Sequence, residues 1–379
     1  MIDFSQIPSP CYVIDEDLLR GNLQIIRSVS EQSGVDIIPA LKGFALWGVF
    51  PVMRPFVKGV SASSANEARL ACEEMKAPAH SYSPAYTDAD FDEILTCSSH
   101  ITFNSLTQYS RCREKVHRCA YPVSMGLRVN PEITQVETAL YNPCAPGSRL
   151  GMTQAQLGNT LPADIEGLHI HALCESSADA TAQLIQAVET KFGAFFPHIK
   201  WINFGGGHLM TRKDYDIALL VKTLLDFRAR YPHIRVILEP GAAFAWDTGV
   251  LRTTIEDIVV NGGIRTAILD ASFTAHMPDC LEMPYKPRIR GASEPQHDKQ
   301  HWRIGGNSCL AGDYMGEWSF DEEPYIGKTI VFEDMIHYTM VKTTTFNGVP
   351  HPSIGVYSQN NGFTLLKSFG YEDYKTRLS

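Results

Sequence analysis

The stretch Val35-Asp36-Ile37-Ile38-Pro39-Ala40-Leu41-Lys42-Gly43-Phe44 decides how the rest of the sequence is interpreted. Strand-forming residues lead directly into Lys42, and a glycine and an amphipathic segment follow. A lysine at the exit of a buried strand is unusual, because burial disfavours the ammonium form and lowers its pKa. A neutral amine in such a place is a nucleophile for carbonyl groups. We therefore predict a reactive amine at Lys42.

From residue 35 onward, short apolar runs alternate with segments of helical periodicity. Such alternation predicts a parallel sheet with crossover helices. Eight strands close a (β/α)₈ TIM barrel, and residues 35–240 fit the roughly 200–250 residues that a barrel takes. A doubly wound open sheet is the alternative. The predicted strands are Ile37–Leu41, Gly59–Ser63, Ala79–Ser83, His100–Asn104, Val123–Asn130, Gly167–Leu173, Trp201–Gly205 and Arg235–Glu239.

After the eighth predicted strand, β-rich runs follow one another without long helices between them. This pattern predicts a second, mainly antiparallel β domain. We place the barrel at residues 30–245 and the β-rich domain at 1–29 and 246–379, with the strand near Tyr12 contributing to it. The proline-rich segment 284–301 is predicted to be a surface loop. The β-rich runs are Val250–Ile255, Thr266–Leu269, Lys328–Phe332, Met340–Thr345 and Gly362–Lys367.

The composition is ordinary for a soluble globular protein, with 44% hydrophobic and 20% charged residues. The net charge of −9 and the lack of a Lys/Arg block argue against a nucleic-acid partner. No apolar run approaches the roughly 20 residues of a membrane span, and the N-terminus lacks the features of a signal peptide. The nine cysteines are scattered without a CxxC pair, so we expect reduced thiols, a cytoplasmic location and no metal site.

Barrel enzymes place their catalytic groups at the C-terminal ends of the strands. Several of the predicted strands end in residues with a chemical use in one shared site. Besides the reactive lysine they offer a cation, an aromatic base, a glycine loop and a carboxylate. These residues are Lys42, Arg128, His171, Gly205-Gly206-Gly207 and Glu239.

The glycine loop and Glu239 predict the two ends of a cofactor site. Three glycines expose backbone N–H groups, and barrels commonly bind a phosphate after strands seven and eight; a flexible turn is the alternative. Glu239 ends a run that should be buried, and a buried carboxylate needs a partner. A pyridine nitrogen is such a partner, and a carboxylate beside it makes the ring a strong electron sink. A buried salt bridge is the alternative.

His171 and Arg128 are compatible with the same cofactor. The His171 ring can stack on a cofactor ring or can be a core histidine, and Arg128 can hold a carboxylate or phosphate or form a surface ion pair. Together with the reactive amine, these groups predict pyridoxal 5'-phosphate carried by Lys42 as a Schiff base.

With these residues in place, the chain resembles the fold-type III pyridoxal-phosphate decarboxylases. This alanine racemase-like group includes the ornithine and diaminopimelate decarboxylases, and the resemblance is greatest to carboxynorspermidine/carboxyspermidine decarboxylases. It spans nearly the whole chain. The motifs that carry it are Ala40-Leu41-Lys42-Gly43-Phe44, Trp47-Gly48-Val49-Phe50, Leu127-Arg128-Val129-Asn130-Pro131, His171-Ala172-Leu173-Cys174-Glu175, Gly205-Gly206-Gly207, Leu238-Glu239-Pro240-Gly241, Ser308-Cys309-Leu310-Ala311-Gly312-Asp313, Tyr338-Thr339-Met340-Val341-Lys342, Phe346-Asn347-Gly348 and Phe369-Gly370-Tyr371-Glu372-Asp373.

The resemblance implies decarboxylation of an amino acid on pyridoxal phosphate. Lys42 would carry the cofactor, His171 would stack on its ring, and Glu239 would meet its pyridine nitrogen. The glycine loop and Tyr338 would hold the phosphate. Cys309 resembles the thiol that returns a proton to the substrate after carbon dioxide leaves. In this group that thiol comes from the neighbouring subunit of a homodimer.

The substrate implied is a small cationic polyamine, carboxynorspermidine or carboxyspermidine, with norspermidine or spermidine as product. Ala242 stands where diaminopimelate decarboxylases carry an arginine for a distal carboxylate, which favours a distal amine. Asp270 matches an aspartate used on that amine. We also place His276, Asp279 and Asp313 among the predicted substrate-binding residues.

Three positions depart from the pattern of the group. Gly43 replaces a usual cysteine, and Ala172 and Ser176 replace asparagines. Two alternatives stay open: another fold-type III decarboxylase, of the diaminopimelate or ornithine type, and a non-catalytic pyridoxal-phosphate carrier that uses the barrel alone. The β-rich domain with Cys309 and Asp313 argues against a carrier, which has no use for a proton donor.

Overall fold

The computed structural model describes residues 2–133, 135–136 and 138–379. Within these residues the strands are β1 (Cys11–Asp15), β2 (Asp36–Ile37), β3 (Val60–Ala62), β4 (Ala79–Tyr82), β5 (Ser98–Phe103), β6 (Ser124–Arg128), β7 (Ile165–His169), β8 (Trp201–Asn203), β9 (Arg235–Leu238), β10 (Gly249–Asn261), β11 (Ile264–Leu269), β12 (Ala292–Ser293), β13 (His301–Gly305), β14 (Tyr314–Phe320), β15 (Thr329–Glu333), β16 (Ser353–Ser358) and β17 (Gly362–Lys367).

The α-helices of the same residues are α1 (Glu16–Ser33), α2 (Phe50–Met53), α3 (Ala65–Leu70), α4 (Asp88–Cys97), α5 (Leu106–His117), α6 (Gln154–Leu157), α7 (Ala178–Phe192), α8 (Ile217–Arg230), α9 (Ala242–Ala245), α10 (Phe273–His276), α11 (Pro278–Glu282), α12 (Tyr338–Val341) and α13 (Tyr371–Lys375). A π-helical turn follows α3 at Ala71–Met75. Short 3₁₀ helices lie at Phe4–Gln6, Trp47–Val49, Arg54–Phe56, Ala139–Tyr141, Gly193–His198 and Phe346–Gly348.

The contacts between residues divide the chain into two compact units. One unit is Gly21–Phe244, and the other joins the N-terminal residues up to Arg20 with Ala245–Ser379. Among the described residues, no helix has both the length and the apolar character that a membrane crossing requires.

Eight parallel strands form the sheet of the first unit, in the order β2-β9-β8-β7-β6-β5-β4-β3. The two ends of this order meet, because the Leu41 N–H donates to the Ser61 carbonyl oxygen (3.1 Å) and the Ser61 N–H donates to the Pro39 carbonyl oxygen (2.8 Å). The predicted (β/α)₈ barrel is therefore confirmed. The first strand is shorter than predicted and ends at Ile37, since Pro39 has no N–H to donate to a ladder.

The crossover helices begin where the sequence provides an N-cap. In each case a hydroxyl or carboxylate oxygen accepts a backbone N–H two or three residues into the helix, which satisfies a donor that the helix leaves free. These caps fix where each strand end turns back into a helix. They are Ser64, Thr87, Ser105, Ser177 and Asp216, which begin α3, α4, α5, α7 and α8.

Trp201 fills the barrel beside two glycines. A Cβ atom on Gly126 or Gly167 would overlap the indole ring, so these strand positions must lack a side chain. The indole Nε1–H donates to the Ser124 hydroxyl at 2.8 Å, which satisfies the polar end of an otherwise apolar side chain. The tryptophan at the start of β8 thus depends on glycines in β6 and β7.

The second unit is a mainly antiparallel sheet, as predicted. Its strands run in the order β12-β14-β13-β11-β10-β1-β16-β17, with β15 also pairing with β10. Strand β1, which contains Tyr12, pairs with β10 and β16, so the N-terminal strand does join this sheet. Among the strands described for this unit, the pairs β1–β16 and β11–β13 are parallel and the others antiparallel. The predicted fold class is confirmed in both of its parts.

Two local predictions for this unit are wrong. The run Met340–Thr345 is not a strand: Tyr338–Val341 is helix α12, and the Lys342 N–H donates to the Tyr338 carbonyl oxygen at 3.1 Å. Its β-branched residues favour strand, but the Thr344 N–H pairs with the Ala275 carbonyl oxygen outside any ladder. The segment 284–301 is not wholly loop, because Ala292–Ser293 pairs with β14.

Several buried or half-buried histidines have lowered pKa values, because their surroundings do not stabilise the protonated ring. Burial lowers the pKa of His100, His208 and His276 to about 4 in each case. The His100 ring stacks on the His80 ring at a centroid distance of 3.9 Å, and His208 Nδ1 lies 3.0 Å from the Thr181 hydroxyl. These rings are neutral at pH 7 in the folded protein, whereas an unfolded histidine titrates near pH 6.5.

The stability of the protein should therefore depend on pH below neutrality. Between about pH 6.5 and 4 the unfolded chain binds protons that the folded chain does not, so the free energy of unfolding should fall as the pH falls. The contribution of these histidines to stability should be complete above pH 6.5. Each unit of pKa difference is worth about 1.4 kcal/mol. Urea unfolding followed by circular dichroism measures this dependence. His208→Gln should make it shallower, and His198→Gln, at an exposed histidine, should not. A urea midpoint that stays constant from pH 7 to 4.5 contradicts the prediction.

Candidate active site

The residues singled out in the barrel unit lie where its strands end. Arg128 and Asn203 are the last residues of β6 and β8, and Glu239 directly follows β9. Lys42 follows β2, beyond the segment that closes the barrel. The barrel thus brings the five predicted groups to one rim, where parallel strands place their C-terminal ends.

A chain of hydrogen bonds connects Lys42 to the glycine loop. Lys42 Nζ lies 3.3 Å from His171 Nε2, and His171 Nδ1 accepts the Gly206 N–H at 2.9 Å. A neutral imidazole carries one proton, and burial lowers the pKa of His171 well below its usual value. Because Nδ1 is an acceptor, we assign the proton to Nε2. A hydrogen bond between these two nitrogens then has the lysine as its acceptor, and only an unprotonated amine can accept.

The electrostatics of the rim favour the unprotonated form of Lys42. The residue is exposed to solvent, but desolvation by surrounding protein atoms lowers its pKa, and the Arg128 guanidinium lowers it further. Glu239, Cys174 and Glu67 act in the opposite direction without cancelling the shift. An amine with a lowered pKa is the nucleophile that the sequence predicts at this position.

The three glycines are required by the close approach of neighbouring chain segments. Gly205 and Gly207 have positive φ angles of 69° and 90°, which favour glycine. A Cβ atom on Gly205 would overlap the Ile170 carbonyl oxygen, and one on Gly206 would lie 2.6 Å from the Glu239 carbonyl oxygen. The loop is therefore a tightly packed segment and not a flexible turn.

Two N–H groups of this loop already have partners inside the barrel unit. The Gly205 N–H donates to Asn203 Oδ1 at 2.8 Å and the Gly206 N–H to His171 Nδ1 at 2.9 Å. Among the described residues, the Gly207 N–H has no such acceptor. The phosphate role of the loop stays a prediction, with Gly207 its best-placed donor.

Glu239 is a buried carboxylate with partners on both oxygens. Oε1 accepts the Asn203 Nδ2–H at 2.6 Å, and Oε2 lies 3.3 Å from His169 Nε2. Burial by itself would raise the pKa of Glu239, but His169 and Asn203 outweigh it and lower the pKa to about 2. The carboxylate is therefore ionised at any physiological pH. It can face the N–H of a pyridinium ring without losing its own charge.

Arg128 is buried, which excludes the alternative of a surface ion pair. Its Nη2 donates to the His171 carbonyl oxygen at 3.1 Å, and its guanidinium carbon lies 4.5 Å from the centre of the Tyr82 ring. Both contacts orient the guanidinium at the rim next to His171. Whether it also binds a phosphate or carboxylate stays a prediction.

Sequence reasoning missed three polar residues of this rim. Asn203 and His169 hold Glu239, and Glu67 lies close enough to Lys42 to affect its pKa. Glu67 also accepts the Ser63 N–H at 2.6 Å. Asn203 and His169 could have been found by the rule that found Glu239, because each is a polar residue that ends a buried strand. Glu67 follows the Ser64 N-cap by three residues, so the sequence explains it as a capping residue.

Cys309 lies on an exposed loop of the sheet unit that is held at two points. The Cys309 N–H donates to Asn347 Oδ1 at 2.7 Å, and Asn347 adopts a positive φ of 57°. Asp313 is buried, and its two carboxylate oxygens accept the N–H groups of Thr274 and Ser308, each at 3.1 Å. The thiol is thus presented to solvent on a fixed backbone.

The other predicted substrate residues have different surroundings. His276 is fully buried, and its Nδ1 accepts the Ser272 N–H at 3.1 Å. Asp279 is buried and accepts the hydroxyls of Tyr285 (3.0 Å) and Thr339 (2.7 Å). Asp270 is half-buried, and it accepts the Thr254 N–H at 2.9 Å. Burial raises the pKa of Asp270.

Tyr338, the predicted phosphate ligand of the sheet unit, begins α12 and is half-buried. The next residue in α12, Thr339, donates to Asp279 in α11. Lys342, directly after α12, pairs with Glu282 of α11. These two contacts fasten Tyr338 to the preceding helix, and its role in phosphate binding stays a prediction.

The three departures noted in the sequence have structural settings. A Cβ atom on Gly43 would lie 2.8 Å from the Gly241 Cα, so this position allows close approach to the loop after Glu239. Ala172 is fully buried. The Ser176 N–H donates to the Gly207 carbonyl oxygen at 2.8 Å, which ties a further segment to the glycine loop.

The barrel rim combines a lysine with a lowered pKa, an ionised carboxylate and a glycine loop. Together with a mainly antiparallel sheet unit, these features define a class, the pyridoxal-phosphate enzymes with a barrel and a sheet domain. The family model described as pyridoxal-dependent decarboxylase, C-terminal sheet domain, matches residues 11–336. The chain belongs to this family of pyridoxal-dependent decarboxylases.

Individual relatives match over nearly their whole length. A carboxyaminopropylagmatine decarboxylase of Synechocystis sp. is 50% identical over 99% of this chain and 96% of its own. A carboxynorspermidine/carboxyspermidine decarboxylase of Campylobacter jejuni is 40% identical over 99% of both chains. The crystal structure of carboxynorspermidine decarboxylase from Campylobacter jejuni, complexed with norspermidine, superimposes with a TM-score of 0.89 at 40% identity over 98% of this chain and 100% of that one.

The residues present fit pyridoxal phosphate as the cofactor of this decarboxylase. The group needs an amine for its aldehyde, a carboxylate for its pyridine nitrogen and N–H or cationic groups for its phosphate. Lys42 supplies the amine, whose pKa is lowered, and Glu239 supplies the ionised carboxylate. Gly207 and Arg128 offer N–H donors for the phosphate. The chain is thus a pyridoxal-phosphate-dependent carboxy-lyase.

The packing of the glycine loop predicts the effect of adding a methyl group to it. Gly205→Ala should destabilise the barrel unit by about 1–3 kcal/mol and weaken cofactor binding, because the new Cβ overlaps the Ile170 carbonyl and displaces His171. Gly147→Ala is the matched control, since Gly147 also has a positive φ of 77° but no atom within 4 Å of a Cβ. Thermal unfolding and equilibrium binding of pyridoxal phosphate measure the two effects. Equal losses in the two variants would mean that backbone strain, not the overlap, determines the loop.

Proposed function

We propose that this chain decarboxylates a carboxylated polyamine, carboxynorspermidine or carboxyspermidine, to norspermidine or spermidine. The observation that carries the chemistry is the pair of hydrogen-bonded groups at the barrel rim, a neutral Lys42 on His171 and an ionised Glu239 on Asn203. The named relatives support the substrate class.

Each residue of the rim has a defined task in this proposal. Bound pyridoxal phosphate supplies an electron sink that accepts the electrons of the breaking bond between Cα and the carboxylate. Lys42 binds the cofactor through its unprotonated Nζ, and Glu239 keeps a proton on the pyridine nitrogen by remaining ionised. His171 and Arg128 orient these groups. The Cys309 thiol is the proposed donor of the proton that replaces the carboxylate at Cα.

The residues after Glu239 support a substrate with a cationic far end. Ala242 and Ala243 begin helix α9 and are buried, so this turn offers no cation to a second substrate carboxylate. The net charge of −9 agrees with a cationic substrate. A substrate with two carboxylates, such as diaminopimelate, is therefore disfavoured.

A second candidate substrate is carboxyaminopropylagmatine, because the relative that bears this name is 50% identical to the chain. The two candidates share a carboxylated aminopropyl group joined to an amine. They differ at the far end, where an agmatine unit carries a guanidinium and a polyamine carries an ammonium. These cations differ in shape and in hydrogen-bonding pattern, so one enzyme is expected to prefer one of them.

The active form is proposed to be a homodimer in which Cys309 of one subunit serves the other. The exposed thiol lies on a loop with the exposed side chain of Leu310, and Phe346, beside Asn347, is also exposed. Their exposed fractions are 47% and 45%. Apolar side chains next to a thiol predicted to act in catalysis are typical of a surface that another chain covers.

The substrate proposal predicts a rank order of turnover. Release of carbon dioxide from carboxynorspermidine and carboxyspermidine should exceed release from diaminopimelate and ornithine by about tenfold or more in kcat/KM. Carboxyaminopropylagmatine belongs in the same panel, and the highest kcat/KM on it would establish the second candidate. Lys42→Ala should lose turnover and the cofactor adduct that borohydride traps on the lysine. Preference for diaminopimelate would contradict the proposal.

The shared-site proposal predicts that two impaired variants rescue each other. Cys309→Ala should bind the cofactor but turn over slowly or form a wrong product, and Lys42→Ala should be inactive. Equal mixing with subunit exchange should restore about a quarter of the parental activity, because half of the dimers are mixed and each has one complete site. Size-exclusion chromatography with light scattering checks the dimer. A mixture that is no more active than its two components contradicts the proposal that the site is shared between subunits.

A further inference from the structure

Asn203 connects the two ends of the candidate cofactor site with one short side chain. Its Oδ1 accepts the Gly205 N–H at 2.8 Å, and its Nδ2 donates to Glu239 Oε1 at 2.6 Å. The residue is 3% exposed. Only one orientation of an amide gives an acceptor to the glycine N–H and a donor to the carboxylate. The identity of the side chain and its orientation are therefore both fixed by its neighbours.

The backbone around Asn203 shows why this side chain decides the spacing. Strands β8 and β9 are paired in parallel, and the Glu239 N–H donates to the Gly205 carbonyl oxygen at 2.7 Å. The backbone pairing thus fixes the main-chain positions of Gly205 and Glu239, but it does not fix the orientation of the Glu239 side chain. The remaining partner of that carboxylate is His169, at 3.3 Å from Oε2. Asn203 makes the shorter contact, and it alone also reaches the glycine loop.

We propose that Asn203 is a positioning residue that fixes the Glu239 carboxylate relative to the glycine loop, and so sets the distance between the groups that hold the pyridine nitrogen and the phosphate. The inference rests on the proposed roles of Glu239 and the glycine loop. A rigid, flat cofactor with binding groups at both ends tolerates little change in that distance. A longer, shorter or differently charged residue at this position should weaken cofactor binding even where the barrel remains folded.

Asn203→Asp keeps one of the two hydrogen bonds of the amide and removes the other. The introduced carboxylate still accepts the Gly205 N–H, but it has no proton to donate to Glu239 when both groups are ionised. Two neighbouring carboxylates raise the pKa of one of them. At low pH one carboxyl therefore takes up a proton and donates it to the other, which restores the bond. The side chain keeps its size, so packing is unchanged.

The measurement is the dissociation constant of pyridoxal phosphate for the variant relative to the parent protein, at pH 8.5 and at pH 6. We expect the ratio to be about tenfold or more at pH 8.5, the loss that follows removal of one hydrogen bond to an ionised group, and to approach one at pH 6. Asn203→Ala should bind weakly at both pH values. A ratio near one throughout, with parent protein that binds the cofactor, overturns the inference.

Two further variants separate positioning from folding. Asn104→Asp makes the same exchange at another strand end. Asn104 accepts the Tyr82 hydroxyl and the Gly151 N–H and donates to the Arg149 carbonyl oxygen. Its donor bond goes to a carbonyl group and not to a carboxylate, so its ratio should not change between the two pH values. Asn203→Asp combined with Glu239→Gln reverses donor and acceptor and restores the bond at every pH. The double variant should fold, and the pH dependence of its ratio should vanish. If that dependence persists, it does not arise from the pair, and the inference fails.

The outcome also distinguishes this inference from the proposed function. Parent protein that binds no pyridoxal phosphate, or Glu239→Gln with unaltered cofactor binding, contradicts the proposed roles before Asn203 is considered. Parent protein that binds the cofactor and depends on Glu239, combined with a pH-independent Asn203→Asp, contradicts only the role of Asn203.

Discussion

The hydrogen bond from the Gly206 N–H to His171 Nδ1 is the interaction on which the chemistry of the rim depends. It makes Nδ1 an acceptor and so leaves the single proton of a neutral imidazole on Nε2, facing the lysine. Without that bond His171 could present either nitrogen to Lys42, and the protonation state of the amine would not be constrained by geometry. A backbone N–H, which does not titrate in this range, thus favours the unprotonated form of the lysine through the tautomer of His171.

The same rim stabilises the negative charge of Glu239. Burial opposes ionisation of both Lys42 and Glu239, yet the outcome differs because their partners differ. Lys42 faces Arg128, a like charge, and a neutral imidazole. Glu239 has an amide donor and His169, which together outweigh burial and lower its pKa to about 2. Asn203 and His171 are each bonded to a glycine of the same loop, and they are the hydrogen-bonding partners of Glu239 and Lys42.

The sequence was sufficient for the parts of the fold that depend on periodicity. All eight barrel strands were predictable, because parallel strands covered on both faces are continuous apolar runs separated by helical segments. The placement of Lys42, His171 and Glu239 on one rim followed from topology alone, since parallel strands share their C-terminal edge. The error at Met340–Thr345 came from β-branched residues whose backbone partners lie in a helix and a loop. No local pattern reveals that a strand-forming run has no neighbour with which to pair.

Side-chain roles were harder to predict than positions, and the acidic residues of the sheet unit show why. Asp270, Asp279 and Asp313 were all predicted to bind the substrate, with Asp270 singled out by its resemblance to an aspartate of related decarboxylases. Sequence gives the charge of each residue but not the partners of its oxygens. In the structure both oxygens of Asp313 accept backbone N–H groups and thereby shape the loop that carries Cys309. Asp279 accepts two hydroxyls and fastens the helix that begins at Tyr338.

A carboxylate with such fixed partners can bind a cation only by giving up bonds that shape the backbone around it. Asp270 is more accessible than the other two, but hydrogen bonds from Ser9 and the Thr254 N–H and the nearby Arg252 guanidinium also act on its carboxylate. Burial raises the pKa of Asp270, so its carboxyl group is more easily protonated when no substrate cation is bound. A substrate ammonium would reverse that shift by favouring the ionised form. Of the three acids, Asp270 is therefore the most accessible, and its role in binding the substrate stays a prediction.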